Sequence, residues 1–125
     1  MKTIICDIDG TLTKYMGGGH KAIIENEHEV LPGVVDMMRH WESQGHRIIL
    51  ITGRRESVRE RTESELRRLG IPFDILLMGY ADSGRVLIND ISPHLGAKAD
   101  VVNVERDAGW KYYDWESVGL DNIGK

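Results

Sequence analysis

Residues 3–13 read "TIICDIDGTLT". Thr3 to Ile8 are almost wholly apolar, yet the stretch ends in two carboxylates, Asp7 and Asp9, followed by Gly10, Thr11 and Thr13. A continuous apolar run, rather than an alternating one, fits a strand covered on both faces, as in a parallel sheet. An unpaired buried carboxylate costs far more than one side chain can offset, so something cationic has to meet the tip of this strand.

Working outward, the runs Arg47–Ile51, Ile75–Met78 and Val86–Asn89 read as further strands, and Val101–Val104 as a weaker fifth. Two helical patterns lie between them. Residues 32–44 begin with Pro32 at a first helical position and put Val34, Met38 and Trp41 on one face, with Gly45 as the stop. Residues 56–69 align Val58, Thr62, Leu66 and Leu69, pair Glu63 with Arg67, and leave the other charges as a solvated face. Strand alternating with helix is the grammar of an α/β domain: a three-layer Rossmann-like sandwich around a central, mostly parallel sheet.

Two stretches break the rhythm. Residues 14–31 hold the triple glycine Gly17–Gly19 and read as a flap or hairpin too small to be a cap domain. Residues 79–85 are too few for a helical crossover, so either the connection is irregular or the third and fourth strands are not neighbours. The tail, residues 106–125, carries "GWKYYDWESVGL" and is expected to pack against the sheet, with an oligomer contact or substrate platform as the alternative.

The totals bound the rest. A chain of 125 residues is one domain. Its net charge of −4 argues against duplex DNA as a partner. No run approaches the roughly 18 apolar residues of a membrane span, and no signal peptide precedes the first strand, so a cytoplasmic location is expected. The one cysteine, Cys6, lies in an apolar run and reads as a small core residue. The five histidines show no zinc-ligand spacing and are assigned to the surface or the flap.

Ligands in parallel α/β sheets collect at the carboxyl ends of strands. Three such ends are polar here: Asp7-Ile8-Asp9-Gly10-Thr11, then Thr52-Gly53-Arg54, then Asn89-Asp90 with Ser92. Acidic groups, a hydroxyl and exposed backbone N–H groups on one rim suit a hard divalent cation and a phosphate. Mg²⁺ takes oxygen ligands and few protein carboxylates, with water and substrate phosphate completing its shell.

The runs "DIDGT", "ITGR" and "INDI" resemble, in order and spacing, the motifs of the haloacid dehalogenase (HAD) superfamily, mostly Mg²⁺-dependent phosphatases. The resemblance extends from about residue 2 to about residue 105 and implies a small member without a large cap. It implies that Asp7 is the nucleophile, forming an aspartyl-phosphate, and that Asp9 is general acid and then base. It further implies that Asp7, the Asp9 carbonyl and Asp90 hold Mg²⁺, that Thr52, Gly53 and Arg54 grip the phosphoryl group, and that Asn89 stands behind the ligands. The implied activity is a phosphomonoesterase acting on a sugar phosphate, a nucleotide or a polynucleotide end, its open site compatible with closure by a second copy of the chain.

One position departs from the family pattern. Tyr80 stands where these phosphatases carry the lysine that neutralises nucleophile and phosphate. Three cations could replace it. Arg54 lies beside Thr52; Lys98 follows Asp90; and Arg85, across five residues of strand at ~3.3 Å each, would sit about 16 Å from the rim. Two other classes compete with the enzyme: a non-catalytic relative that binds a phosphate ligand or a partner, and a receiver-type signalling domain. The second needs an aspartate ending the third strand and a lysine ending the fifth, where Met78 and Glu105 stand.

Overall fold

The computed structural model describes residues 1–17, 19–80 and 83–123. Gly18 of the triple glycine and Ala81 and Asp82 of the 79–85 connection lie outside the described residues. The architecture is α/β without a large cap. Strands β1 (Thr3–Asp7), β2 (Arg47–Thr52) and β3 (Ile75–Met78) form one parallel sheet in the order β1-β2-β3. Cys6 stands opposite Leu50 and Asp7 opposite Ile51, while Thr52 aligns with Met78. All three strands therefore end at one edge. Asp74 fixes the entry to β3, its carboxylate accepting from the Ile48 amide at 2.7 Å and its amide donating to the Ile48 carbonyl at 2.8 Å.

The crossover from β1 to β2 holds a seven-residue helix α1 (Gly19–Glu25) and then α2 (Val34–Ser43). At the base of the 14–31 segment Thr13 bridges Val30 in antiparallel fashion and Leu31 N–H donates to the Leu12 carbonyl. Helix α2 buries Val34, Met38 and Trp41, the stripe its spacing predicts, and Met37 beside them. It starts later than predicted. Gly33 adopts φ 79°, and a Cβ there would lie 3.0 Å from the Lys111 amide nitrogen, so the chain turns at Gly33 and the Pro32 carbonyl accepts instead from Trp110.

The second crossover is a 3-10 turn, Glu56–Val58, running into α3 (Arg59–Leu69). Val58, Thr62 and Leu66 are buried as predicted, but so is Glu65, which the sequence reading left on the solvated face. Glu63 bonds back to Arg59 at 3.2 Å rather than forward to Arg67. The tail packs on α2 and shares one core cluster with the sheet residues Cys6, Ile48 and Leu50. Trp110 and Trp115 close on Trp41 with ring centroids 5.6 and 4.9 Å away, and the Trp41 indole donates to the Asp121 carbonyl. With both tail tryptophans buried, they form no exposed platform.

The largest departure concerns residues 86–104. Val86–Asn89 and Val101–Val104 form no strands; Val86 and Ile88 are each 87% exposed. The region holds only the antiparallel pair β4 (Ile91–Ser92) and β5 (Gly96–Ala97). Parallel pairing needs a crossover of a dozen or more residues, and the 79–85 connection falls short of that from β3. The free edge of β1 instead borders a cavity of about 860 Å³.

Candidate active site

The loop after β1 is wound by its own backbone. The Ile8 carbonyl accepts from the amides of Thr11, Leu12 and Thr13, and Gly10 N–H donates to the Thr13 carbonyl at 2.7 Å. Ile8 and Leu12 are fully buried anchors. Gly10 sits at φ 85° with the Arg106 side chain 3.1 Å from where a Cβ would stand, so this turn needs glycine. The result is a rigid loop presenting Asp7 and Asp9 at the carboxyl end of the sheet.

Asp7 is about one-third exposed. Thr11 Oγ1 donates to its Oδ2 at 3.2 Å, and Arg85 Nη2 stands 3.4 Å from its Oδ1. Burial pushes the Asp7 carboxyl above its ordinary value and the nearby Asp9 charge adds to this, while Arg85, Thr11 and the Ile8 amide pull it down. Arg85 is thus the cation at the first carboxylate. The sequence estimate of about 16 Å assumed five residues of extended strand. Because 86–89 is not a strand, that distance collapses.

Asp9 has a different partner. Arg54 grips it with Nη2 on Oδ1 at 2.7 Å and Nε on Oδ2 at 3.0 Å, a fork-on-fork pair. The Arg54 side chain is 1% exposed. Its Nη1 also donates to Thr62 Oγ1 at 3.2 Å and to Glu65 at 3.4 Å, and Glu65 meets His28 Nδ1 at 2.7 Å. Burial opposes the guanidinium charge, but the bonds to Asp9 and Glu65 outweigh it and hold Arg54 ionised. Arg54 therefore serves Asp9 instead of gripping a phosphoryl group, since its donors are already committed.

Thr52 is buried, its hydroxyl oxygen accepting from the Arg54 amide at 3.1 Å, and Gly53 is exposed beside it. Tyr80 N–H donates to the Thr52 carbonyl, leaving the Tyr80 side chain half exposed. Asp90 is well exposed and ion-paired with Lys98. The structure thus brings Asp7, Asp9, Arg54 and Arg85 together and gives Asp90 a separate partner, because no strand pairing carries residue 90 to the rim. Asp7, Thr11, Arg85, Asn89 and Lys98 nevertheless line the same cavity.

Among the described residues no three His, Cys, Asp or Glu side chains cluster as a ready-made metal cage. Mg²⁺ needs less, taking one or two carboxylates and keeping several waters. A carboxylate whose charged form is disfavoured by burial, beside a second one and open to a cavity, fits that donor requirement. Cys6 is buried, and its thiol is pushed far up by burial and by the Asp7 charge, so it has no nucleophilic part.

Sequence reasoning missed Glu65 and His28. Glu65 had a signal, since position 65 falls on the Val58-Thr62-Leu66-Leu69 stripe. His28, in a polar flap, had none.

A family model described as "PITM 1-3, LNS2 domain" matches residues 4–110. Membrane-associated phosphatidylinositol transfer protein 3 of Homo sapiens is 32% identical over 72 residues, 58% of this chain and 7% of that protein. Protein retinal degeneration B of Drosophila melanogaster is 32% identical over 79 residues, 63% of this chain and 6% of that protein. The chain thus spans less than a tenth of the curated relatives it matches.

Among solved structures, a chain of the Pnkp1/Rnl/Hen1 complex superposes with TM-score 0.56 at 32% identity, covering 68% of this chain and 30% of that one. The class C acid phosphatase from Bacillus anthracis gives 0.55 at 26% identity, covering 62% and 40%. The fold is that of the HAD-superfamily phosphatases. No helix among the described residues is long and apolar enough to cross a membrane.

Proposed function

The chain belongs to the family of the PITM 1–3 LNS2 domain, and from that premise we propose that it is a Mg²⁺-dependent phosphomonoesterase with Asp7 as nucleophile. One observation carries the reading. Asp7 ends a parallel strand, faces a cavity, and has a hydroxyl at 3.2 Å and a guanidinium at 3.4 Å, while Asp9 two residues on is clamped separately by Arg54.

In this reading an Asp7 oxygen attacks phosphorus and the ester P–O bond breaks. Asp9, entering the cycle protonated, gives that proton to the departing oxygen and regains one from the water that splits the aspartyl-phosphate. Arg85 faces the charge spread over the transferring phosphoryl oxygens. Thr11 holds the nucleophile's orientation. The Asp7 carboxylate and the Asp9 backbone carbonyl would hold Mg²⁺, and Asp90 would join them by exchanging Lys98 for the ion. Bound there, the metal would supply charge neutralisation that lets a carboxylate approach an anionic phosphate.

The candidate substrates are sugar phosphates, nucleotides, polynucleotide ends and, given the phosphatidylinositol transfer relatives, a phosphomonoester on a lipid headgroup. The test is hydrolysis of p-nitrophenyl phosphate with Mg²⁺ and with EDTA, for the native chain and Asp7→Asn. Mg²⁺-dependent turnover abolished in Asp7→Asn is expected. Equal turnover by the Asn variant rejects the nucleophile, and phosphate binding without turnover favours the non-catalytic reading that Tyr80 raises.

A further inference from the structure

Behind Asp9 runs a line of polar side chains that phosphoryl transfer does not itself call for. Arg54, Glu65 and His28 have side-chain exposures of 1%, 8% and 1%, whereas Asp9, at the outer end, is 23% exposed. They come from three places: the end of β2, helix α3, and the flap segment before α2. Glu65 touches Arg54 through both terminal nitrogens, at 3.4 and 3.5 Å, and Thr62 takes a further N–H at 3.2 Å. On its far side Glu65 Oε2 meets His28 Nδ1 at 2.7 Å. A carboxylate only accepts, so the histidine proton sits on Nδ1. His28 Nε2 is buried with no partner among the described residues. The fold thus leaves one ring nitrogen unpaired to keep the other on Glu65.

Stability alone does not account for this line, because a buried ion cluster is seldom better than well-packed apolar side chains of the same volume. What it does provide is a fixed direction. With its other donors engaged on Thr62 and Glu65, the Arg54 guanidinium is held with Nε and Nη2 facing Asp9. Those two bonds take one lone pair from each Asp9 oxygen and leave the second on each for a proton.

We propose that Glu65 and His28 are positioning residues: they lock the Arg54 guanidinium, and through it hold the Asp9 carboxyl group in the orientation from which its proton passes to the leaving oxygen. This rests on the reading of Asp9 as acid and base given above. It also ties the flap, through His28, to the chemistry.

The test exploits leaving groups. p-Nitrophenolate departs without a proton, whereas an alkoxide needs one, and general acid catalysis is worth roughly 10²–10⁴-fold. The ratio kcat/KM reports only the steps through P–O cleavage. In Glu65→Leu we expect kcat/KM for glycerol 1-phosphate to fall about 100-fold and that for p-nitrophenyl phosphate less than threefold. Glu65→Gln, whose amide oxygen still accepts from Arg54 while its NH2 donates to His28 Nδ1 in the other tautomer, should recover the alkyl ester to within tenfold of the native chain. Loss of structure would lower both substrates together, and equal losses overturn the proposal. An independent readout is the Arg54 Nε–H signal in ¹⁵N NMR. It should be sharp and slow to exchange in the native chain, and lost in Glu65→Leu while the amides of β2 are unchanged. Its survival in Glu65→Leu overturns the lock even if the native chain hydrolyses neither ester, an outcome that would sink only the phosphatase reading.

Discussion

Arg85→Ala separates the geometry observed from the one an extended strand implies. At 3.4 Å from Asp7 Oδ1, the guanidinium interacts by about 1 kcal/mol in a water-like dielectric and about 5 kcal/mol at an effective dielectric of 20. Both side chains are about one-third exposed, so the ground-state pair belongs at the low end, about 1 kcal/mol or less. The transferring phosphoryl group adds charge where Arg85 points. Losing one preorganised donor in a closed site costs about 10²–10³-fold, and the partial exposure here reduces that to about 10–100-fold. Arg85→Ala should therefore lower kcat/KM for p-nitrophenyl phosphate by 10–100-fold at saturating Mg²⁺, with a urea midpoint change worth about 1 kcal/mol or less. Arg85→Lys, which keeps the charge but loses the fork, should fall between the two. A change under threefold in the Ala variant would mean that Arg85 is not the counter-charge of the site.

Three further outcomes follow from the same structure. Arg54→Met strands a buried Glu65 and should cost about 3–5 kcal/mol in urea unfolding; adding Glu65→Leu should restore much of it, and a double variant as unstable as the single removes the reason for the cluster. The Asp7 carboxyl is pushed up by burial in the folded chain, so its contribution to stability is full below the unfolded carboxylate range and is lost as pH rises through the raised folded value. Asp7→Asn should therefore raise Tm at pH 7 and leave it unchanged near pH 3, and an Asn variant less stable at pH 7 contradicts the assignment. Asp90→Asn should raise the Mg²⁺ concentration for half-maximal activity about tenfold or more, read by titrating metal against turnover; an unchanged midpoint would leave Asp90 as a partner of Lys98 alone.

The first strand, its loop and the two crossover helices were legible without coordinates because their signals are local. An apolar run, a backbone that bonds within three to five residues around Ile8, and a 3.6-residue stripe through Val34, Met38 and Trp41 are written in consecutive positions. The stripe through α3 was equally visible, and taking Glu65 for a solvated charge overlooked its place on it. Val86–Asn89 has the composition of a strand, but composition does not say whether an edge is within reach, and here the chain arrives beside β1 without pairing.

The sequence by itself determined where the candidate reacting groups stand along the chain. Asp7, Asp9, Thr11 and Thr52 stand at strand ends because the strands end there. Only the tertiary structure decided which cation serves which carboxylate: Arg85 for Asp7, Arg54 for Asp9, Lys98 for Asp90. Those pairs join residues up to 78 positions apart through long, many-rotamer side chains carried partly on irregular loops. No periodicity encodes such contacts; they depend on where the packed core leaves each loop and on how little water remains around it.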